Sequence, residues 1–236
     1  MLVNGANVAS LYLLTGTHGG PLPGPGGKSI PATNKKIGYL MGHVAELDAT
    51  GSKVIKEATY ADSGTLMAHI GMNPAPARPV MEAGAASPTV VVSSGSDAEA
   101  KNVEAFRAST DAFNKRDVKA LAAFNTPDVV FHDLTQPKDM NAKENEAMMG
   151  GFFTAFPDAR LTLDSSWGAG DYVVTRGTFE GTNKGAAPAM GIKKPTGKPV
   201  RVRFLEITRL EGGKYKEDWL IFDSMAFAGQ LGLLGN

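Results

Sequence analysis

The chain repeats part of itself. Shifting the sequence by 161 residues lays Gly16-Thr17 on Gly177-Thr178, Lys53 on Lys214, Asp62-Ser63 on Asp223-Ser224 and Gly71 on Gly232. A two-residue offset in the middle, reversed at the next turn, brings Lys35 onto Lys198 and Leu47 onto Leu210. The tail HIGM after the first Asp-Ser pair answers QLGL after the second. Matches that hold one offset, with each gap at a turn, mark an internal repeat. The first copy, residues 1–72, matches only the last, β-rich half of the second. The helices that precede that half have no counterpart in it. A curved sheet with one face bare exposes apolar side chains, which soluble proteins avoid. The first copy is therefore expected to pack on the second or on another subunit, or to belong to a longer two-copy protein.

Residues 73–97 are rich in Pro, Ala and Ser without helical or alternating order, the pattern of a linker. The complete copy, residues 98–236, then opens on a capping box, Ser96-x-x-Glu99, followed by Val103, Phe106, Thr110 and Phe113 on one helical face. Asp117 starts a short second helix through Leu121 and Phe124, ended by Pro127, and Asp128–Asp133 is a strand. Asn141-x-x-Glu144 caps a third, apolar helix stopped at Pro157. From there the period changes to two, and ARLTLDSSW, DYVVTRGTFEG, KPVRVRFLEITRL and KYKEDWLIFD are strands between Gly- or Pro-bearing turns. About three helices before a curved antiparallel sheet is an α+β architecture, preceded here by a β-rich half-domain of the same type.

Composition narrows the function classes. The 24 basic residues balance the 24 acidic ones, with no basic half, which argues against nucleic acid as a partner. There is no Cys, so disulfides, thiolate nucleophiles and Cys-type zinc sites are absent together. No apolar run reaches the ~18–20 residues of a membrane span, and the start lacks the basic region of a signal peptide. The compartment is not encoded in these features; the cytoplasm is the default expectation. LPGPGGKS, residues 22–29, imitates a P-loop, but Leu22 replaces the first glycine and prolines occupy the phosphate cradle. Neither G-x-S-x-G nor H-E-x-x-H occurs, and the four His are too scattered for a metal site.

Gly177-Thr178, the loop Met190-Gly191 to Pro195-Thr196-Gly197-Lys198, Trp219-x-x-x-Asp223 and Gln230-Leu231-Gly232 resemble the SnoaL-like polyketide cyclase, or ester cyclase, family of the NTF2-like superfamily. The resemblance implies a cone: a strongly curved sheet wrapped against long helices, dimerising through the sheet and holding a small-molecule pocket. The best-known members close a polyketide ring by intramolecular aldol condensation, without metal or organic cofactor, using a carboxylate as acid and base. The resemblance therefore implies a small apolar ligand, no cofactor, and a homodimer or an intramolecular pseudo-dimer of the two sheets. One departure stands out. The cyclase aspartate falls three residues before Asp223, at Leu220 here and Thr59 in the half-copy. A family histidine falls at Glu206, while the half-copy has His43 there.

Proton abstraction beside a carbonyl needs a carboxylate or His in a dry pocket, and a donor for the enolate oxygen. The catalytic candidates are Asp223, His132 and Glu206, with Asp218 as a further carboxylate. Asp223 recurs as Asp62, each followed by Ser, which suits catalysis or a helix N-cap. His132 and Asp133 are adjacent on one strand, so only one can enter the pocket. Glu206 sits between apolar neighbours, as a buried functional acid or paired with Arg201, Arg203 or Arg209. Trp219 and Tyr215, assigned to one strand face, and Phe152 and Phe156 of the third helix are candidate pocket walls. The competing reading is a non-catalytic ligand-binding or scaffold module.

Overall fold

A computed structural model describes residues 1–24, 27–84 and 87–234. The first copy contributes β1 (Leu2–Asn4), β2 (Asn7–Thr17), the short pair β3 (Leu22–Pro23) and β4 (Ser29–Ile30), β5 (Lys36–Leu47), β6 (Val54–Tyr60) and helix α1 (Ser63–His69). A two-residue strand, β7 (Val91–Val92), follows inside the Pro- and Ala-rich stretch expected to be a linker, and pairs in parallel with β1. The second copy contains α2 (Asp97–Asn114), α3 (Val118–Ala123), β8 (Asn125–Asp133), α4 (Ala142–Ala155), β9 (Arg160–Ala169), β10 (Tyr172–Thr182), β11 (Pro199–Glu211), β12 (Lys214–Ile221) and α5 (Ser224–Leu231). The capping boxes of α2 and α4 form as the sequence predicts, Ser96 with Glu99 and Asn141 with Glu144.

Two five-stranded sheets result, ordered β6-β5-β2-β1-β7 and β8-β12-β11-β10-β9. Both are mixed at one edge, because β7 runs parallel to β1 and β8 runs parallel to β12. Pro127 lies inside β8 rather than ending a helix before it. The β8–β12 register breaks around this proline, which an edge strand tolerates because it removes one ladder donor.

The ladders show the repeat at atomic level. Leu47 N donates to Ala6 O at 2.9 Å and Leu210 N to Asp171 O at 2.8 Å, while His18 N reaches Lys35 O as Asn183 N reaches Lys198 O, at 2.9 and 3.0 Å. Thr17 pairs with Lys36 where Thr182 pairs with Pro199. These pairings correct the alignment of the first strand: Gly16-Thr17 corresponds to Gly181-Thr182, a shift of 165, and not to Gly177-Thr178. The connections after Thr17 and after Leu47 are each two residues shorter in the second copy, so the shift falls from 165 to 163 to 161 along the chain.

The sheets pack face to face. Ala9, Leu11, Leu40 and Val44 of the first meet Val174, Leu205, Ile207 and Ile221 of the second in one apolar cluster. The approach is close enough that a Cβ on Gly42 would stand 2.4 Å from Leu205 Cδ2. Strand β11 records this contact in its outward residues: Arg201 and Arg203 are exposed, then Leu205 and Ile207 are buried where the first sheet covers them. The other face of the first sheet leaves Tyr12 and Leu14 exposed, whereas the concave face of the second is closed by α2, α3 and α4.

Candidate active site

Between those helices and the concave face of β8–β12 lies a cavity of about 200 Å³. Its wall is mostly aromatic and thioether, with Phe106, Phe113, Phe152, Phe179, Phe227 and Met149 among the lining side chains. Polar groups enter from the sheet: Glu206, Asp218, Tyr215 and Asp133.

Strand register brings these together. Glu206 pairs across the β11–β12 ladder with Leu220, and Thr208 with Asp218, so all four share the concave face. Glu206 and Asp218 are diagonal neighbours there, a spacing that long side chains bridge. Their carboxyl groups hydrogen-bond to each other, and Thr208 Oγ1 donates to Asp218 Oδ1 at 2.7 Å. Two carboxylates this close in an apolar cavity cannot both be charged. Burial and then the Asp218 charge push Glu206 well above the usual carboxylate range. Burial also raises Asp218, to about 6, against the lowering bonds from Thr208 and Glu206. Around neutrality the pair thus holds a single proton between its two carboxyl groups.

Tyr215 Oη lies 2.5 Å from Ser109 Oγ, and Ser109 in turn donates to Phe106 O at 2.8 Å, so the phenol is the donor in the first bond. Burial, then the Glu206 charge, raises the phenol well above its ordinary value and keeps it protonated. Asp133, opposite Leu220 on β8, completes the polar row; burial raises its carboxyl, opposed by bonds from Thr135 N at 2.9 Å and Thr135 Oγ1 at 2.7 Å.

The sequence-derived candidates separate accordingly. Glu206, Tyr215 and Phe152 line the cavity. Glu206 is not paired with arginine: Arg201, Arg203 and Arg209 lie on the opposite face, where Arg201 binds Glu180 at 2.5 Å and Arg209 binds Glu217 at 2.8 Å. His132 lies outside, with Nδ1 2.9 Å from Asp139 and its ring stacked on Trp219 at 4.9 Å; its neighbour Asp133 takes the inward position. Trp219 likewise faces the inter-sheet cluster, because the register slip between Arg209 and Leu210 puts an extra residue, Lys216, into β12 and turns Tyr215 inward while Trp219 stays outward. Phe156 is fully buried behind Phe152 and Phe179 and does not reach the cavity. Asp223 lies outside it too, capping α5 by accepting from Met225 N and Ala226 N.

The half-copy keeps the geometry of the pair with other residues. By ladder position His43 corresponds to Glu206 and Glu57 to Asp218, and His43 Nε2 stands 3.3 Å from Glu57 Oε2 on the open face. Asp62 caps α1 as Asp223 caps α5. Among the described residues, no cluster of three His, Asp or Glu side chains has metal-binding geometry, and no helix is long and apolar enough to cross a membrane.

A curved sheet closed by helices over an apolar cavity defines the NTF2-like class of α+β proteins. Within it, the chain belongs to the SnoaL-like polyketide cyclase family, whose profile matches residues 103–231. AclR from Streptomyces galilaeus is 25% identical and superposes with a TM-score of 0.52, over 58% of this chain and 89% of that one. Two others share the fold. A SnoaL-like protein from Jannaschia sp. CCS1 is 20% identical, with a TM-score of 0.52 over 60% of this chain and 97% of that one. TsrD from Streptomyces laurentii is 23% identical, with a TM-score of 0.50 over 57% and 97%. No curated protein matches the chain.

Proposed function

We propose that the protein takes a small apolar molecule bearing a carbonyl group into this cavity and performs cofactor-independent acid–base chemistry on it. The observation that carries this reading is the Glu206–Asp218 pair, two carboxyls sharing one proton in an otherwise apolar cavity. Such a pair supplies a base and an acid at once. Asp218 removes the proton from the carbon beside the carbonyl; the C–H electron pair becomes the enol double bond. The carbonyl π pair moves to oxygen, which receives the proton of Glu206. The pair ends with one proton, now on Asp218, and returns it in the reverse sense when the enol attacks an electrophile or is reprotonated. Aromatic walls position the apolar body and exclude water from the reacting carbon.

The test is deuterium incorporation beside the carbonyl of aryl alkyl ketones in D2O, followed by proton NMR. Wild type is expected to accelerate exchange, and Asp218→Asn and Glu206→Gln to abolish the acceleration while the ketones still bind. Exchange that is absent, or unchanged in both variants, overturns the reading. A second reading, a non-catalytic ligand-binding or scaffold module, is favoured by Leu220, which stands at the family's aspartate position and cannot move a proton. It predicts ketone binding without exchange.

A further inference from the structure

The half-copy and the second copy grip each other through equivalent residues. Ser63 Oγ donates to Asp223 Oδ1, and Ser224 donates to Asp62 Oδ1 from its backbone N at 2.9 Å and its Oγ at 2.5 Å. Residue i of one copy meets residue j of the other and the reverse, the pattern of a two-fold contact, made here within one chain. Asp62 is 3% exposed, and its remaining donors are local: Gly64 N, Thr65 N and Thr65 Oγ1. Two of the five groups that satisfy this buried carboxylate therefore come from the other copy, both from the first residue of α5. That helix carries Phe227, and the residue just before its cap is Phe222; both line the cavity.

A second grip acts at the end of β8. Arg78, shortly after the half-copy, donates through Nη2 to Asp133 O at 3.0 Å and through Nη1 to Asp139 Oδ1 at 2.7 Å. Asp133 and Gln136 are cavity residues. Both attachment points are thus made on segments that line the second copy's cavity, by residues that touch no ligand space themselves.

We infer that the half-copy and the segment directly after it have a function of their own: Asp62 and Ser63 are positioning residues that hold α5, and Arg78 is one that holds the end of β8, in the arrangement the cavity needs. The inference rests on the reading that this cavity takes a small apolar ligand. A site held by a rigid outer shell keeps its geometry, and one whose shell is loosened loses affinity before it loses its fold.

The experiment uses the full chain and two readouts. One is binding of N-phenyl-1-naphthylamine, a neutral apolar fluorophore. The other is amide hydrogen exchange over residues 133–136 and 224–231. Asp62→Asn and Arg78→Met are each expected to weaken fluorophore binding about tenfold and to speed exchange in the segment each one grips. Ser63→Ala, the mildest change, is expected to act in the same direction on α5. Asp62→Asn combined with Ser224→Ala is expected to fall short of the sum of the two single effects, because both changes act on one contact. Unchanged affinity together with unchanged local exchange in Ser63→Ala and Arg78→Met overturns the inference. A wild type that binds no fluorophore counts against the pocket reading instead; the exchange arm then decides, with faster exchange supporting the positioning role and unchanged exchange overturning it.

Discussion

Thr208 stands directly across the ladder from Asp218, and its hydroxyl donates to the Asp218 carboxylate at 2.7 Å. Thr208 is fully buried, so no water replaces that donor when it is removed. Thr208→Val keeps the shape and deletes the bond. The Asp218 carboxyl is expected to titrate higher in the variant, because the hydrogen bond that favours its charged form is gone. The loss of stability is expected to be about 1–3 kcal/mol at neutral pH. Carbon-13 NMR titration of the carboxyl and urea unfolding measure the two effects; an unmoved titration contradicts the assigned role of Thr208.

The carboxyl pair also shapes stability against pH. Asp218 rises from 3.8 to about 6 on folding, and Glu206 rises from 4.5. For an acid with a raised folded pKa, the native state keeps a proton that the unfolded chain has lost, so this contribution falls as pH increases. The decline begins near pH 4 and continues through about 6 as Asp218 charges, with Glu206 extending it upward. Glu206→Gln combined with Asp218→Asn is expected to flatten that limb and to raise stability above neutrality by about 1–4 kcal/mol. Urea midpoints from pH 4 to 9 check it, and a variant curve parallel to wild type would be the contrary result.

Much of this architecture is legible in the sequence, and the failures have local causes. The caps Ser96 and Asn141, each with Glu three residues on, place α2 and α4 because reciprocal capping is encoded within four residues. Glu206 is legible as a buried acid, but its partner is not. The arginines around it are odd-numbered and lie on the other face of β11, so strand parity alone points away from them, whereas Asp218 arrives from another strand through register. Tyr215 and Trp219 share sequence parity yet face opposite ways, because one extra residue in β12 resets the alternation. The exposed Arg201 and Arg203 followed by buried Leu205 and Ile207 on one face is the signal that a second sheet covers only part of β11.

Glu99 shows the opposite electrostatics. Its carboxylate accepts from Ser93 Oγ at 2.7 Å, Ser94 N at 3.0 Å, Gly95 N at 2.9 Å, Ser96 N at 3.3 Å and Gly170 N at 2.7 Å. Despite the burial that opposes charge, these donors, Gly170 first, lower its pKa from 4.5 to about 2. A depressed folded pKa gives stability that is present above 4.5 and is lost as pH falls through about 2. Glu99→Gln is expected to cost about 2 kcal/mol at neutral pH, since an amide cannot accept all of these bonds and that from Ser94 Oγ at 3.4 Å. It is also expected to reduce the acid sensitivity of unfolding between pH 4.5 and 2, the window of the shift. Acid unfolding followed by circular dichroism is the measurement, and equal acid sensitivity in the variant refutes the assignment.

Gly42 is a point of close approach between the two sheets. An added Cβ would lie 2.4 Å from Leu205 Cδ2 and 2.7 Å from Ile221 Cδ1. Side-chain ends usually give way, but Leu205 and Ile221 are fully buried and packed from both sides. Leu205 shares β11 with Glu206, and Ile221 is the last residue of β12, directly after Leu220. Gly42→Ala is therefore expected to cost about 1–3 kcal/mol by overpacking, and the strain falls on the two strands that carry the carboxyl pair. Leu205→Ala in the same chain relieves the clash, so the double variant is expected to be more stable than the sum of the two single losses. Urea unfolding of the four chains supplies the cycle; strict additivity would show that the sheets do not meet through these side chains.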